Sequence, residues 1–423
     1  MTGSRPADQF RRSVAVLASG TAISQAIPIA AMPVLTRLYT PEEFGTVALY
    51  LALASLLGVV ATARYELAIP LPSDDTEAAE IGLLALKICV ATSLVVLGAV
   101  AALGGRIADL LGDPRLAPWL YLLPATIMAT GLYSVCQLWC NRMGRYRAMS
   151  INRVQHSGAT AAGNIAMGAA GVSGGLIVGS LIGQAASATL IASRIWRADR
   201  ATLRRTTRAG QRRLAARYAF HPLHLVPSHF VGVAALQLPV LMVGVLFATG
   251  AAGFYSVAHR VVSIGSSTVA NAIGDVYRQQ AAREYRDRGS FETLFLRTLR
   301  TTALLAVVPF AIVYLAAPAV AEWVLGPPWR IAGDYARILA VSGFFQFVFT
   351  PVDKGALVVG ATRYIFAWQA ARLAGLGSVL AIAVGASLHI EQVLWSIVGV
   401  NVVLYIVDGI VEHRLSRGRR HAD

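Results

Sequence analysis

The chain has 423 residues, 56% of them hydrophobic and only 14% charged, with 37 Lys and Arg against 22 Asp and Glu, for a net charge of +15. Soluble domains carry about a quarter charged residues; here the charges gather in short clusters between apolar runs of about 18 residues or more, long enough to cross ~30 Å of hydrocarbon as helices. That excludes a soluble fold, and the lack of alternating segments of about ten residues excludes a membrane β-barrel.

In chain order the first apolar stretch follows Arg11 and Arg12. It superficially resembles a signal peptide but runs on to about Leu35, too far for a cleaved segment, and reads as the first membrane helix. Twelve spans are expected: 10–38, 43–69, 78–104, 115–139, 150–171, 173–194, 218–247, 252–276, 292–317, 334–358, 363–386 and 390–412. Helix-stopping sequences separate them, among them Thr40-Pro41-Glu42-Glu43, Pro70-Leu71-Pro72-Ser73-Asp74-Asp75, Gly112-Asp113-Pro114 and Gly326-Pro327-Pro328.

A cytoplasmic N-terminus puts 28 of the 37 cationic residues on the cytoplasmic side, nine of them arginines between Arg194 and Arg217, and only Arg37, Arg106, Arg115 and Arg330 outside. This is the positive-inside pattern, and it places both termini in the cytoplasm. It also accounts for the net charge without a nucleic-acid partner. Outer loops of no more than about twenty residues leave no room for a periplasmic catalytic domain, and a G-x-x-x-x-G-K-[ST] phosphate loop is missing, so neither nucleotide hydrolysis nor a cofactor is expected. Cys89, Cys136 and Cys140 fall inside apolar runs and read as packing residues, with no metal site. His221, His224 and His229 read as structural.

The basic loop 194–217 divides six spans from six, giving an N-terminal bundle 1–193, a linker 194–217, a C-terminal bundle 218–412 and a basic tail 413–423. The halves echo one another: Leu38-Tyr39 precedes Gly45 as Leu246-Phe247 precedes Gly253. Prolines interrupt the first span (Pro28, Pro33) and the seventh (Pro222, Pro227, Pro239). Broken helices at matching positions of two repeats point to a transporter.

The stretch from Pro33-Val34-Leu35-Thr36-Arg37-Leu38-Tyr39-Thr40-Pro41-Glu42-Glu43-Phe44-Gly45 through Ala63-Arg64-Tyr65-Glu66-Leu67-Ala68-Ile69 to Asp74-Asp75-Thr76-Glu77-Ala78 resembles a signature of bacterial polysaccharide flippases. These belong to the multidrug/oligosaccharidyl-lipid/polysaccharide (MOP) superfamily. Gly253-Phe254-Tyr255-Ser256-Val257-Ala258-His259-Arg260 resembles the same family's entry into its eighth span. The resemblance implies an all-α membrane protein of two pseudo-symmetric six-helix bundles around a cavity that opens to each side in turn. It implies a flippase moving undecaprenyl-pyrophosphate-linked oligosaccharides across the bacterial inner membrane for O-antigen, capsule or exopolysaccharide, not an enzyme, with polymerase and assembly proteins as further partners.

Charges within spans usually face a cavity or a partner, and guanidinium suits phosphate through paired hydrogen bonds. Arg64, Lys87, Arg260 and Arg372 are therefore the candidate pyrophosphate ligands; Lys87 and Arg64 could instead snorkel to an interface. Gln25, Asn164, Gln184, Gln346 and Asn401 could meet sugar hydroxyls or simply bond helix to helix. Asp275, Asp353 and Asp408 are candidates for ion coupling. The linker's arginines suit an amphipathic segment on anionic headgroups, or capture of the substrate's pyrophosphate. Three rivals remain: an ion-coupled drug antiporter of the same fold, which should favour deep carboxylates; a membrane polymerase or ligase, which should need a larger outer loop; and a scaffold for a polysaccharide assembly complex.

Overall fold

The computed structural model describes residues 6–418, with side chains described outside 6–18, 264–268 and 362. Arg5, the side chains of Arg11 and Arg12, and residues 419–423 of the basic tail lie outside that description.

Several helices of the first half begin at side-chain caps. After α1 (Pro6–Leu38), Thr40 opens α2 (Pro41–Val60) with a capping box: Glu43 N–H donates to Thr40 Oγ1 at 3.3 Å, and Thr40 N–H donates to Glu43 Oε2 at 2.9 Å. Asp74 caps α3 (Asp75–Leu110) through the Glu77 N–H at 3.0 Å. There follow α4 (Leu123–Arg142), α5 (Tyr146–Ala169), α6 (Gly175–Arg204) and the short α7 (Arg208–Arg217). The second half holds α8 (Val226–Phe247), α9 (Thr249–Arg288), α10 (Glu292–Leu325), α11 (Arg330–Phe349), α12 (Thr362–Ala386) and α13 (Ile390–Ser416). Among the described residues twelve helices reach 20 residues, and no strand occurs.

Seven helices are long and apolar enough to cross a membrane, or eight if the bent pair Pro114–Leu120 and Leu123–Arg142 is one span. The chain is an all-helical, multi-pass membrane protein. Among the long helices that fall short are α5, α9 and α11, which carry Asn152, His156 and Asn164, then His259 and Arg260, then Arg337 and Gln346. Polar side chains lower their hydropathy, and several candidate residues sit on them.

Three span edges differ from the sequence expectation for local reasons. The second span, expected to reach 69, stops at Val60; Ala63 and Arg64 take left-handed φ of 49° and 60°, and Tyr65–Ala68 form a separate 3-10 turn. Pro118 and Pro124 bend the fourth span by 53°. The tenth, expected to run to 358, ends at Phe349 just ahead of Pro351, leaving Gly355–Val358 as a turn of its own.

The chain divides into two compact units, residues 1–233 and 234–423. In the first, α5 and α6 meet through glycines. A Cβ on Gly179 would lie 2.5 Å from Asn164 N, and one on Gly163 would lie 2.8 Å from the Gly179 carbonyl. This is the small-residue contact that lets membrane helices approach closely. Tyr39 crosses from the end of α1 to donate to the Asn164 carbonyl at 2.7 Å.

The linker packs onto this unit by specific anchors. Glu80, 5% exposed, accepts from Thr207 N–H (2.8 Å) and Thr207 Oγ1 (3.0 Å) at the start of α7. Leu214 is fully buried beside Tyr65, Ile69 and Ile81. Arg145 grips Asp199 with two bonds of 2.6 Å, and Trp139 Nε1 adds one of 2.8 Å. All nine linker arginines stay exposed. α7 is thus amphipathic, with its apolar edge against protein and its cationic edge outward.

In the second unit Tyr277, Phe291, Phe295 and Val352 form one core and Met242, Leu376, Val393 and Ile397 another. His413 of α13 and Arg417 just beyond it both donate to Glu292 at 2.9 Å, tying the last helix to the start of α10.

Overpacking a close helix contact costs about 1–3 kcal/mol or more. Gly179→Leu is expected to lower the thermal unfolding midpoint and the folded yield in detergent, whereas Gly98→Leu, with nothing within 4 Å of its Cβ, is expected to leave both unchanged.

Candidate functional site

In the first unit Arg64 lies where α2 breaks. Left-handed φ at two successive non-glycine residues costs on the order of 1–3 kcal/mol each and persists only where the surroundings enforce it. They do so here. Glu66 is 3% exposed, accepts from the Thr62 hydroxyl, and faces Arg64 Nη1 at 3.5 Å. Arg142 then clamps the following loop, donating to Asp75 Oδ1 (3.0 Å) and to the carbonyls of Ile69 (3.2 Å), Pro72 (2.6 Å) and Ser73 (3.2 Å). Arg64 is therefore presented by a rigid turn just past the end of α2, and its Nε is buried without a hydrogen-bond partner.

The other candidates of this unit are dispersed. Lys87, exposed on α3, donates to Gln211 Oε1 of α7 at 2.6 Å. Gln184 donates to Thr130 Oγ1 at 2.6 Å, linking α6 to α4. Asn164 accepts from Ser180 Oγ at 3.3 Å, and Gln25 is half-buried on α1. A polar network that the sequence reading passed over lies among α4, α5 and α6. Fully buried Asn152 accepts from Gln137 Nε2 (3.1 Å) and donates to the Ser187 carbonyl (3.0 Å), while His156 Nδ1 pairs with Ser187 Oγ (3.0 Å). Its sequence signal was the Asn152–His156 spacing of four, which puts both side chains on one helical face.

In the second unit the structure brings three candidates together. Arg372, Gln346 and Asn401 line a single pocket of about 40 Å³ with Tyr255, His259 and Tyr405. Arg260 stands beside His259 but does not line that pocket. It is exposed, about 100° or more around α9 from exposed Val261, Val269 and Val276, and it follows buried Gly253 and Val257 at i+7 and i+3.

The acidic candidates separate. Asp275 is solvent-exposed and 3.9 Å from Arg278. Asp353 pairs with Lys354 at 3.1 Å. Asp408, 4% exposed, accepts from the Tyr364 hydroxyl at 2.5 Å. One turn further along α13, Glu412 is 1% exposed and accepts from Ala356 N–H at 3.1 Å, with its second oxygen unpartnered. Glu412 was missed in the sequence because it looked like a helix end; its spacing of four from Asp408 was the available signal. Among the described residues no cluster of three or more His, Cys, Asp or Glu could hold a metal.

With this geometry in place, solved structures show the fold. The fold matches an inward-facing MATE-family transporter of the MOP superfamily with a TM-score of 0.72, at 16% identity over 93% of this chain and 94% of that one. A MOP superfamily transporter from Pyrococcus furiosus matches with a TM-score of 0.62, at 15% identity over 98% and 99% of the two chains. The chain has the MOP transporter fold. It belongs to the polysaccharide biosynthesis protein family, whose family model matches residues 34–333. It is also similar to the succinoglycan biosynthesis transport protein ExoT of Rhizobium meliloti (strain 1021), 27% identical over 375 residues that cover 86% of this chain and 72% of that protein.

A left-handed alanine is strained by about 1–2 kcal/mol, a cost glycine avoids. Ala63→Gly is expected to raise the unfolding midpoint of the purified protein, read by thermal denaturation in detergent, because the turn that presents Arg64 is enforced by its surroundings.

Proposed function

We propose that this protein is a flippase that moves undecaprenyl-pyrophosphate-linked oligosaccharide units from the cytoplasmic to the periplasmic leaflet for surface polysaccharide synthesis. Family membership and the ExoT relative support a transport role in polysaccharide biosynthesis. The observation that carries the substrate's charge is the state of Arg260 and Arg372. Both sit within long helices of the second unit, whose ion pairs are formed instead by Arg278, Arg330, Lys354, His413 and Arg417. A cation kept in a membrane helix without a carboxylate suits an anionic cargo.

In this reading Arg64, on its rigid turn at the cytoplasmic end of α2, receives the pyrophosphate, with Lys87 of α3 adding charge on the same side. Arg260 accepts it deeper. Arg372, enclosed in a pocket too small for a diphosphate, contributes field rather than contact. The isoprenoid tail stays in lipid. Asn164 and Gln184 hold helices together, while Asn401 and Gln346 face the pocket. Asp408 with Glu412 is the place for ion coupling, since both carboxylates are buried and neither has an arginine partner. Asp275, paired and solvated, is set aside. The exposed linker arginines rest against anionic headgroups of the inner leaflet, with both termini in the cytoplasm.

Arg64→Gly separates folding from transport: it removes the guanidinium while suiting the left-handed turn. In a strain lacking its own flippase, Arg64→Gly and Arg260→Ala are each expected to reduce surface polysaccharide at least ~10-fold at normal protein level. Unimpaired polysaccharide with both would remove these residues from the mechanism. For orientation, Arg208→Cys offers an exposed thiol in a protein whose Cys89, Cys136 and Cys140 are all buried. An impermeant maleimide is expected to label it only after the inner membrane is opened; labelling in intact spheroplasts would reverse the assigned topology.

A further inference from the structure

The pocket of the second unit lies inside one bundle, among α8, α9, α11, α12 and α13, and its volume is about 40 Å³. That is room for one small ion and a water, since a water needs at least ~10–15 Å³ by this measure. Three facts constrain its occupant. Arg372 Nε is buried and donates to nothing. Asn401, 8% exposed, spends its amide N–H on the Ile397 carbonyl at 2.9 Å, which leaves Oδ1 buried with no donor. No lining residue is acidic.

One deficit is a missing acceptor, the other a missing donor, and beside them stands an unneutralised guanidinium in a membrane helix. Arg372 is half-buried, and a cation held in a membrane helix is costly without a counter-ion. A single water could bridge the two orphaned atoms but would leave the charge. A carboxylate from the protein would neutralise it, but the lining supplies none.

We propose that this pocket binds one small inorganic anion of chloride size, held by the Arg372 guanidinium, with a water beside it donating to Asn401 Oδ1. The anion supplies the acceptor that Nε lacks and cancels the charge; the water satisfies Asn401 and donates its second proton to the anion. The hydroxyls of Tyr255 and Tyr405, the His259 ring and the Gln346 amide line the same space, so donors dominate the wall. The inference concerns a resident ion rather than the transported lipid and stands whether or not the flippase reading does.

The test uses purified full-length protein in nanodiscs of phosphatidylcholine, where no anionic lipid competes. Replacing gluconate by 150 mM chloride at constant ionic strength is expected to raise the unfolding midpoint by about 3 °C, as for a ligand bound only by the folded state. Arg372→Gln is expected to abolish the shift, and Arg372→Lys, which keeps the charge without the Nε donor, to reduce it. If Arg372→Gln does not fold, bromide-soaked crystals of the wild type decide: an anomalous peak within contact distance of Arg372 Nε is expected. No chloride dependence in the wild type, an equal shift in Arg372→Gln, or a pocket holding water without bromide would each overturn the proposal. None of these readouts involves a glycolipid, so their failure is distinct from a failure of the transport assay.

Discussion

A guanidinium surrounded by hydrocarbon has to be solvated by something, and the architecture of this protein turns on how that requirement is met. In the first unit Glu66 faces Arg64 at 3.5 Å, and Asp75 with three carbonyls satisfies Arg142. Deep in the second unit no acid answers Arg372, and the chain leaves a small polar pocket instead. The contrast separates Arg142, whose partners are built in, from Arg372, which has no acidic partner among the described residues.

The helix breaks serve the same end. Strained turns, prolines and glycines interrupt the spans where polar groups must be displayed, and neighbouring side chains absorb the backbone groups set free. The turn after α2 shows the full device: a left-handed pair at Ala63 and Arg64, a buried acid inside it, and an arginine from α4 clamping the loop that follows. The linker follows this logic at larger scale. Glu80 and Asp199 fasten it to the first unit by charge-assisted bonds, and Glu77 pairs with Arg213 and Arg217, while the other linker arginines are exposed.

Much of this was legible in the chain. Long apolar runs, arginine asymmetry and proline breaks established an all-helical membrane protein, and the Pro33–Gly45 stretch with the Ala63–Ala78 segment pointed to the polysaccharide family. The candidate site was legible only as a set of residues. Arg372, Gln346 and Asn401 lie on three different helices, and periodicity along one helix says nothing of which faces meet. Asn152 and Glu412 were overlooked because each lies near a helix end, where polar residues ordinarily meet water; packing buries both.

Sequence alone determined that the chain lies in a membrane, which stretches form its long helices, and which charges fall within them. Hydrophobic transfer and capping act locally, so they can be read residue by residue. Only the tertiary structure decided which of those charges are already answered. A partner in a salt bridge or a pocket comes from a distant part of the chain, and its identity is set by how helix faces pack rather than by anything adjacent in sequence.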